Sequence, residues 1–273
     1  MKLFDCFMYN NEDLILELRF NTLINVVHKF IIVESAFDHQ GNKKKFNFKI
    51  NKFKKFQHKI KYLKITKFPE NLSDWERENY NRNYIKEGII EAAPNDLIMI
   101  SDVDEIPSIN SLDILKERKF TVFRQKMIYY RFNLKNITEP YWFGSKVCKK
   151  KYLRSPQWLR NQKVKSYPFW RIDKINWNII KNGGWHFTRI ISPEEIHNKE
   201  LDTEHHDEYR ASKKNPEKIR DFIKRRVIDH DHLADSRENK FGKEFPLKQL
   251  DINEIPKYIR ENQIKYSNWL DFN

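Results

Sequence analysis

The stretch DLIMISDVDEIP, residues 96–107, places a dense group of acidic side chains after a short apolar run. Residues 97–100, LIMI, have the length and unbroken apolar character of a strand buried on both faces. Asp102, Asp104 and Glu105 follow this strand directly. Charge at the end of a buried strand is unfavourable unless a partner neutralises it. The stretch therefore predicts a functional loop at one edge of a sheet.

Strands and helices alternate along the chain before this stretch. Apolar or alternating runs predict strands at 2–8, 26–35 and 58–66. Asn11 is expected to cap a first helix, and Ser73 with Glu76 forms a capping box that opens a second helix, ending near Ala92. The order β-α-β-β-α-β predicts an α/β fold, a three-layer α/β/α arrangement around a mostly parallel sheet.

The second half of the sequence has a different pattern. Residues 120–132 and 141–149 are typical of longer strands, added to the sheet in antiparallel orientation, and a polar helical pattern begins at Pro193. We expect residues 1–200 to form the main domain and residues 201–273 a helical C-terminal appendage packed on it.

The composition excludes several classes of protein. With 39% hydrophobic and 14% aromatic residues, the chain is not expected to be disordered. Two distant cysteines, Cys6 and Cys148, argue against a disulfide framework and a thiolate zinc site. Early acidic residues interrupt any signal peptide, and no segment reaches the roughly 18 apolar residues of a membrane span. These features predict a cytoplasmic protein, with the cytoplasmic membrane face as a further option.

The formal charge of +14 is unevenly distributed. Residues 39–69, called the lysine segment below, contain eleven lysines and no acidic residue. The segment is either a solvated face or a surface that attracts nucleic acid or an anionic membrane. A basic nucleic-acid-binding protein is therefore one alternative function.

Asp102 and Asp104 suggest a metal site. In a parallel α/β sheet, ligands bind outside the carboxyl ends of the strands, where these residues lie. A spacing of two lets both carboxylates point to one side of an extended segment, and a divalent cation relieves their repulsion. Hard oxygen ligands favour Mg²⁺ or Mn²⁺, which commonly bridge to substrate phosphates. A metal-dependent phosphohydrolase or nucleotidyltransferase would also fit this pattern.

Several motifs together resemble glycosyltransferase family 17 over roughly residues 3–200. They are DCFMYNNEDLILELRFN (5–21), FIIVESAFDHQGNKK (30–44), the E-x-x-x-R of Glu78 and Arg82, DLIMISDVDEIP (96–107) and NGGWHFT (182–188). The resemblance implies a GT-A fold, a UDP-sugar donor such as UDP-GlcNAc, a divalent metal and inversion at the anomeric carbon. A glycosyltransferase needs a glycan acceptor, and the eleven lysines of the lysine segment would attract either an anionic glycan or a bilayer carrying a lipid-linked acceptor.

The resemblance assigns roles to residues near the metal. Asp102 and Asp104 would be metal and diphosphate ligands, with Asp104 the direct one. Glu105 would orient the loop or contact the sugar. His186 would complete the metal or diphosphate site, although a core histidine beside Trp185 is the alternative.

Other matched residues would bind the donor. Glu34 could accept hydrogen bonds from the uridine or ribose. Arg82 could contact the donor phosphates or form an exposed salt bridge with Glu78 one turn earlier. Gly183 and Gly184 would let the backbone approach the donor closely, although a turn explains them equally well.

The catalytic base is expected to be a carboxylate in the downstream half. The candidates are Glu139, Asp173 and Glu194. Glu194 resembles an acid that follows proline in the family, but it could equally be a first-turn residue favoured by the helix dipole.

Overall fold

The computed structural model describes residues 1–38, 41–165, 167–168, 170–171, 174–201, 206–230 and 241–272. The chain divides into two compact units. The first comprises Met1–Gln125 and Trp142–His186, and the second comprises Lys126–Tyr141 and Phe187–Asn273. The predicted boundary between a main domain and an appendage at residue 200 stays a prediction.

The strands, in chain order, are β1 (Leu3–Met8), β2 (Lys29–Ser35), β3 (Ile60–Ile65), β4 (Leu97–Ile100), β5 (Glu105–Pro107), β6 (Phe120–Tyr129), β7 (Leu134–Asn136), β8 (Tyr141–Lys149), β9 (Asn178–Ile180), β10 (Gly184–Thr188), β11 (Val227–His230) and β12 (Phe241–Gln249). The α-helices are α1 (Asp13–Leu23), α2 (Asp74–Asn83), α3 (Ile85–Gly88), α4 (Asp113–Lys116), α5 (Pro156–Asn161), α6 (Pro193–Leu201), α7 (His206–Ala211), α8 (Pro216–Arg225) and α9 (Lys257–Glu261). 3₁₀ helices cover Ile50–Lys59, which is kinked at Phe53, and the short segments Lys150–Tyr152, Ile252–Glu254 and Ser267–Trp269.

The first unit is built on a sheet in which β4, β1, β2 and β3 lie side by side and parallel. Cys6 in the middle of β1 lies opposite Ile31 of β2 and Ile100 of β4. β8 pairs antiparallel with β4, on the side of β4 away from β1. This confirms an α/β fold with a mostly parallel sheet and an antiparallel addition.

Helices cover both faces of this sheet. Side chains alternate between the two faces along β1, so its apolar residues contact both layers. Phe4 and Cys6 join a buried cluster that includes Ile85 of α3. Asp5, on the opposite face, forms an ion pair with Arg19 of α1. The apolar runs that predicted the strands therefore face helices on two sides.

Two helix boundaries differ from those predicted. The capping box of Ser73 is present, but α2 ends at Asn83 and the short α3 follows, so a single helix to Ala92 is wrong. A Cβ on Gly88 would lie 2.1 Å from Cγ2 of Ile31, so this glycine lets α3 pack directly on β2. Asn11 does not cap α1, because Glu12 occupies that position.

Further short strands bring later motifs to the carboxyl end of β4. β5 pairs antiparallel with β10, and His186 lies opposite Glu105 in this pair. β9 runs parallel to β6. The G-G-W-H motif therefore lies next to the acidic residues that follow LIMI.

The second unit combines antiparallel strands with helices. β12 pairs with both β7 and β11, and α6, α7 and α8 pack together. Residues 201–273 contain helices as expected, but they also contain β11 and β12, which were not predicted. Among the described residues, we find no helix with the length and apolar character needed to cross a bilayer.

Candidate active site

Residues 101–105, called the acidic loop below, leave the carboxyl end of β4 beside β1. Glu105 donates its backbone N–H to the carbonyl oxygen of Asp102 at 3.1 Å, which closes a turn. The carboxylate of Glu105 accepts a hydrogen bond from the backbone N–H of Asp102 at 3.0 Å. The loop is therefore a compact turn held partly by its own side chains.

Arg19 holds the acidic loop from the buried side. Its guanidinium donates to both carboxylate oxygens of Asp5, at 2.7 and 2.5 Å. It also donates to the carbonyl oxygens of Asp102, Val103 and Glu105, at 3.1, 3.1 and 2.8 Å. Arg19 and Asp5 are fully buried. A single planar group thus ties the backbone of the loop to β1.

Arg19 and Asp5 were not predicted as site residues, although the sequence contains a signal for them. Arg19 lies on the same side of α1 as the buried Ile15, Leu16 and Leu23. Asp5 lies in the middle of the buried strand LFDCFM. One cation and one anion, each inside an apolar pattern, indicate a buried ion pair.

Glu105 is fully buried, and both oxygens of its carboxylate accept hydrogen bonds from neighbouring side chains. The indole N–H of Trp142 donates to Oε1 at 2.6 Å, and Nη1 of Arg160 donates to Oε2 at 2.8 Å. Ser145 Oγ donates to the carbonyl oxygen of Glu105 at 2.9 Å. Of the two roles considered, these contacts support orientation of the loop.

Asp102 lies between two arginines. Nη2 of Arg160 donates to one carboxylate oxygen at 2.5 Å, and Nη2 of Arg82 donates to the other at 3.2 Å. Burial opposes ionisation, but Arg160 and Arg82 outweigh it and lower the pKa of Asp102 to about 2. Asp102 is therefore a fixed anion that orients two guanidinium groups at the carboxyl end of the sheet. Its predicted role as a metal ligand stays a prediction.

Arg82 forms the salt bridge with Glu78 that was considered as its alternative role. Arg82 is buried, however, so the prediction that this salt bridge is exposed is wrong. Its guanidinium donates to Glu78 at 2.8 Å and to Gln157 at 2.6 Å, besides Asp102. Within the described part of the chain, its buried Nε has no hydrogen-bond partner. Arg160, from α5, lies in a polar stretch without a distinctive pattern, and the sequence reasoning missed it.

Asp104 has a different partner from the other two acids. Its Oδ2 lies 3.6 Å from Nε2 of His186, and its side chain is 26% exposed. Burial alone would lower the pKa of His186, but the Asp104 carboxylate, with Glu105 and Asp102, raises it. The ring of His186 also lies against that of Trp142, with centroids 5.6 Å apart. The structure thus brings together Asp104 and His186 as predicted.

The side chains beside the acidic loop could supply ligands for a divalent cation, but they do not form a complete cage. Among the described residues, no three His, Cys, Asp or Glu side chains form a group that could hold a metal. Mg²⁺ is commonly held by one or two carboxylates, with water and substrate phosphates completing the coordination. Asp104 could supply such a carboxylate with His186 beside it, because Asp102, although its side chain is 36% exposed, already accepts hydrogen bonds from two arginines.

Gly183 and Gly184 have a packing role. A Cβ on Gly183 would lie 2.6 Å from the backbone nitrogen of Arg124. Gly184 has a φ of +107°, and a Cβ there would lie 2.3 Å from the carbonyl oxygen of Ile106. Both contacts are with neighbouring strands, so the glycines allow β10 to approach β5 and β6. Close approach to a donor stays a prediction.

Glu34 is 1% exposed and already satisfied by protein groups. Its carboxylate accepts hydrogen bonds from the backbone N–H groups of Asn47 and Phe48, at 2.6 and 3.1 Å. The hydroxyl of Tyr62 donates to it at 2.7 Å, and Lys44 Nζ lies at 3.3 Å. The contacts give Glu34 a structural role, and its predicted contact with the donor nucleoside stays a prediction.

The candidate bases are placed only in part. Glu194 lies exposed in the first turn of α6, where it forms an ion pair with Arg220. Glu139 follows β7, and its backbone N–H donates to the side chain of Asn136. Asp173 lies outside the described residues. None of the three is assigned as the base by these observations.

Comparison with known proteins supports the interpretation of the motifs. The sequence pattern of glycosyltransferase family 17 matches residues 1–270. The beta-1,4-mannosyl-glycoprotein 4-beta-N-acetylglucosaminyltransferases of Homo sapiens and Rattus norvegicus are each 29% identical over 117 residues, covering 39% of this chain and 22% of each relative. The Mus musculus protein of the same name is 28% identical over an equally long stretch, with the same coverage. The matched region is thus a minor part of each relative's length.

Proposed function

Because the chain belongs to glycosyltransferase family 17, we propose that it transfers a sugar from a UDP-sugar donor to a glycan or lipid-linked glycan acceptor. The names of the relatives, which are N-acetylglucosaminyltransferases, support N-acetylglucosamine as the sugar and UDP-GlcNAc as the donor. The parallel sheet with an acidic loop at the carboxyl end of β4 supports a GT-A fold.

The observation that carries this proposal is that the two aspartates of the acidic loop have different partners. Asp104 faces His186, whereas Asp102 lies between Arg82 and Arg160. Asp104 and His186 would hold Mn²⁺ or Mg²⁺, and the two guanidinium groups would add positive charge for the donor diphosphate. When bound, the cation would stabilise negative charge on the leaving diphosphate.

Inversion requires direct attack by an acceptor hydroxyl whose proton passes to a base. A carboxylate can accept that proton. Glu194, which resembles an acid that follows proline in the family, is our proposed base, with Glu139 and Asp173 as the alternatives. A cytoplasmic location, with peripheral contact of the lysine segment with an anionic membrane, remains part of the proposal.

Release of the nucleotide from UDP-GlcNAc, UDP-glucose, GDP-mannose and a CMP-sugar, with and without Mn²⁺, tests the donor. We expect cation-dependent release of UDP, most rapid from UDP-GlcNAc. Asp104→Asn should reduce it by at least about tenfold, or roughly 1.4 kcal/mol of barrier. Asp113→Asn, which alters an exposed carboxylate in α4, is the matched control.

A binding measurement provides a readout independent of turnover. UDP and Mn²⁺ together should raise the melting temperature of the wild-type protein, because a ligand that binds only the folded state stabilises it. This increase should disappear in Asp104→Asn and persist in Asp113→Asn. Preferential release of GDP or CMP, or full activity of Asp104→Asn, would contradict the proposal.

A further inference from the structure

A cavity of about 530 Å³ opens in the first unit beside β3 and the 3₁₀ helix that precedes it. This volume lies within the range of about 300–1,000 Å³ that is usual for small-molecule sites. The rings of Phe48 and Tyr62 line it, together with the lysines Lys49, Lys52 and Lys64. None of the described residues that line it is acidic. The cavity is therefore both aromatic and cationic.

The aromatic part of the cavity is held in place by Glu34. This buried carboxylate accepts hydrogen bonds from the backbone N–H of Phe48 and the hydroxyl of Tyr62. The two rings lie with centroids 4.7 Å apart, and Phe48 is only 6% exposed. Because both rings are fixed to the end of β2, a ligand would not have to order them on binding.

The positive charge of the cavity is only partly neutralised. Lys52 forms an ion pair with Asp13. Lys64 lies over the rings of Tyr62 and Phe46, at 5.4 and 5.1 Å from their centroids. Within the described residues, neither Lys49 nor Lys64 forms an ion pair with a carboxylate. These two lysines are therefore available to an anion that enters the cavity.

We propose that this cavity binds an anionic sugar, a pyranose ring that carries a carboxylate or a phosphate. The apolar face of the ring would lie against Phe48 and Tyr62, and the anion would contact Lys49 and Lys64. Asn51, which also lines the cavity, offers a donor and an acceptor for hydroxyl groups. A recess with a fixed aromatic wall suits one compact ligand better than a flat membrane surface.

The binding itself does not depend on transfer activity. If the anionic sugar is part of the acceptor, that further step rests on the proposed function. The binding inference and the proposed function can fail separately. A protein that binds the sugar but releases no UDP would retain the cavity as a binding site.

Isothermal titration without nucleotide or Mn²⁺ tests the inference. A glucuronic acid oligosaccharide is the carboxylate probe, glucose 6-phosphate is the phosphate probe, and a neutral glucose oligosaccharide is the control. We expect at least one anionic probe to bind, with an affinity that falls as salt rises. The neutral sugar should bind at least about tenfold more weakly, a difference of roughly 1.4 kcal/mol.

Paired lysine variants locate the binding. Lys49→Gln with Lys64→Gln should weaken the anionic probe by at least about tenfold and leave the melting temperature unchanged. Lys54→Gln with Lys55→Gln removes the same charge from exposed positions that do not line the cavity, and should have little effect.

Each of the following results would overturn the inference. They are binding of neither anionic probe, equal binding of the neutral sugar, equal weakening by both lysine pairs, and displacement of the probe by UDP with a matching loss of UDP affinity in Lys49→Gln/Lys64→Gln. Binding of phosphatidylserine vesicles in place of the soluble probes would likewise replace the sugar with a membrane surface.

Discussion

The acidic loop and the lysine segment both concentrate charge, but they hold it in opposite ways. In the loop, Glu105 is fully buried, and Asp102 has a guanidinium on each oxygen. In the lysine segment, side chains such as Lys43 and Lys45 are exposed. A buried charge without a partner is strongly unfavourable, whereas an exposed charge is stabilised by water. Charge density in a sequence therefore says little about how firmly the charges are held.

The lysine segment is not uniform, because some of its lysines are structural. Lys59 donates to the carbonyl oxygens of Ile24 and Val27, at 2.6 and 2.7 Å, just after α1. Lys44 contacts the buried Glu34. The interpretation of the segment as a solvated face is therefore wrong for these lysines.

The largest expected effect comes from removing the buried arginine that holds the acidic loop. Arg19→Met leaves Asp5 as an uncompensated buried charge and removes the donor to three loop carbonyls. We expect the free energy of unfolding to fall by about 3–5 kcal/mol, measured by urea denaturation.

A double variant provides the control for Arg19. Asp5→Leu with Arg19→Met removes both charges and should recover part of the loss, because no charge is then buried alone. If the single variant is within about 1 kcal/mol of wild type, the pair does not hold the loop as described.

The next effect concerns the contact between β10 and β5, which carries His186 to the loop. Gly184→Ala introduces a Cβ 2.3 Å from a carbonyl oxygen at a φ of +107°. We expect about 3 kcal/mol of destabilisation, from overlap and backbone strain together. Gly242→Ala is the matched control, because Gly242 has a φ of +102° and no atom within 4 Å of the added Cβ.

The control should lose only about 1 kcal/mol. Equal losses in the two glycine variants, measured as melting temperature and urea midpoint, would show that steric contact with β5 is unimportant.

A smaller effect is expected for the structural lysine in the basic segment. Lys59→Met keeps an aliphatic chain of similar length but removes two hydrogen bonds from the ammonium group to carbonyl groups beyond α1. The free energy of unfolding should fall by about 1–2 kcal/mol. Lys54→Met, at an exposed position, is the comparison, and an equally large loss there would contradict the distinction between the two lysines.

The smallest effect is expected for exposed lysines. Lys43→Gln with Lys45→Gln should change the free energy of unfolding by less than about 0.5 kcal/mol. Urea denaturation at low and high salt measures this, and a loss above about 1 kcal/mol would indicate that these lysines are held by contacts.

Much of the first unit could be predicted from local patterns. The apolar runs located β1, β2 and β4, and the capping box located the start of α2. These features depend on residues close in sequence, so they can be recognised without knowing the fold. The 3₁₀ helix at Ile50–Lys59 was missed, although Ile50, Phe53 and Phe56 recur every three residues, the period of such a helix.

The second unit was harder to predict. β11 and β12 pair with each other, and β12 pairs with β7, about a hundred residues earlier in the chain. A strand stabilised by a distant partner has only a weak local signal, since its partner decides whether it forms.

The sequence by itself determined that acidic residues follow a buried strand in a parallel sheet, because local apolar periodicity specifies the strand and its end. Only the tertiary structure decided which cation each acid meets. Asp102 meets Arg82 and Arg160, while Asp104 meets His186. These partners come from separate elements, and their approach depends on how α2, α5 and β10 pack. Three acids within four positions therefore have different environments, since each environment is set by distant parts of the chain.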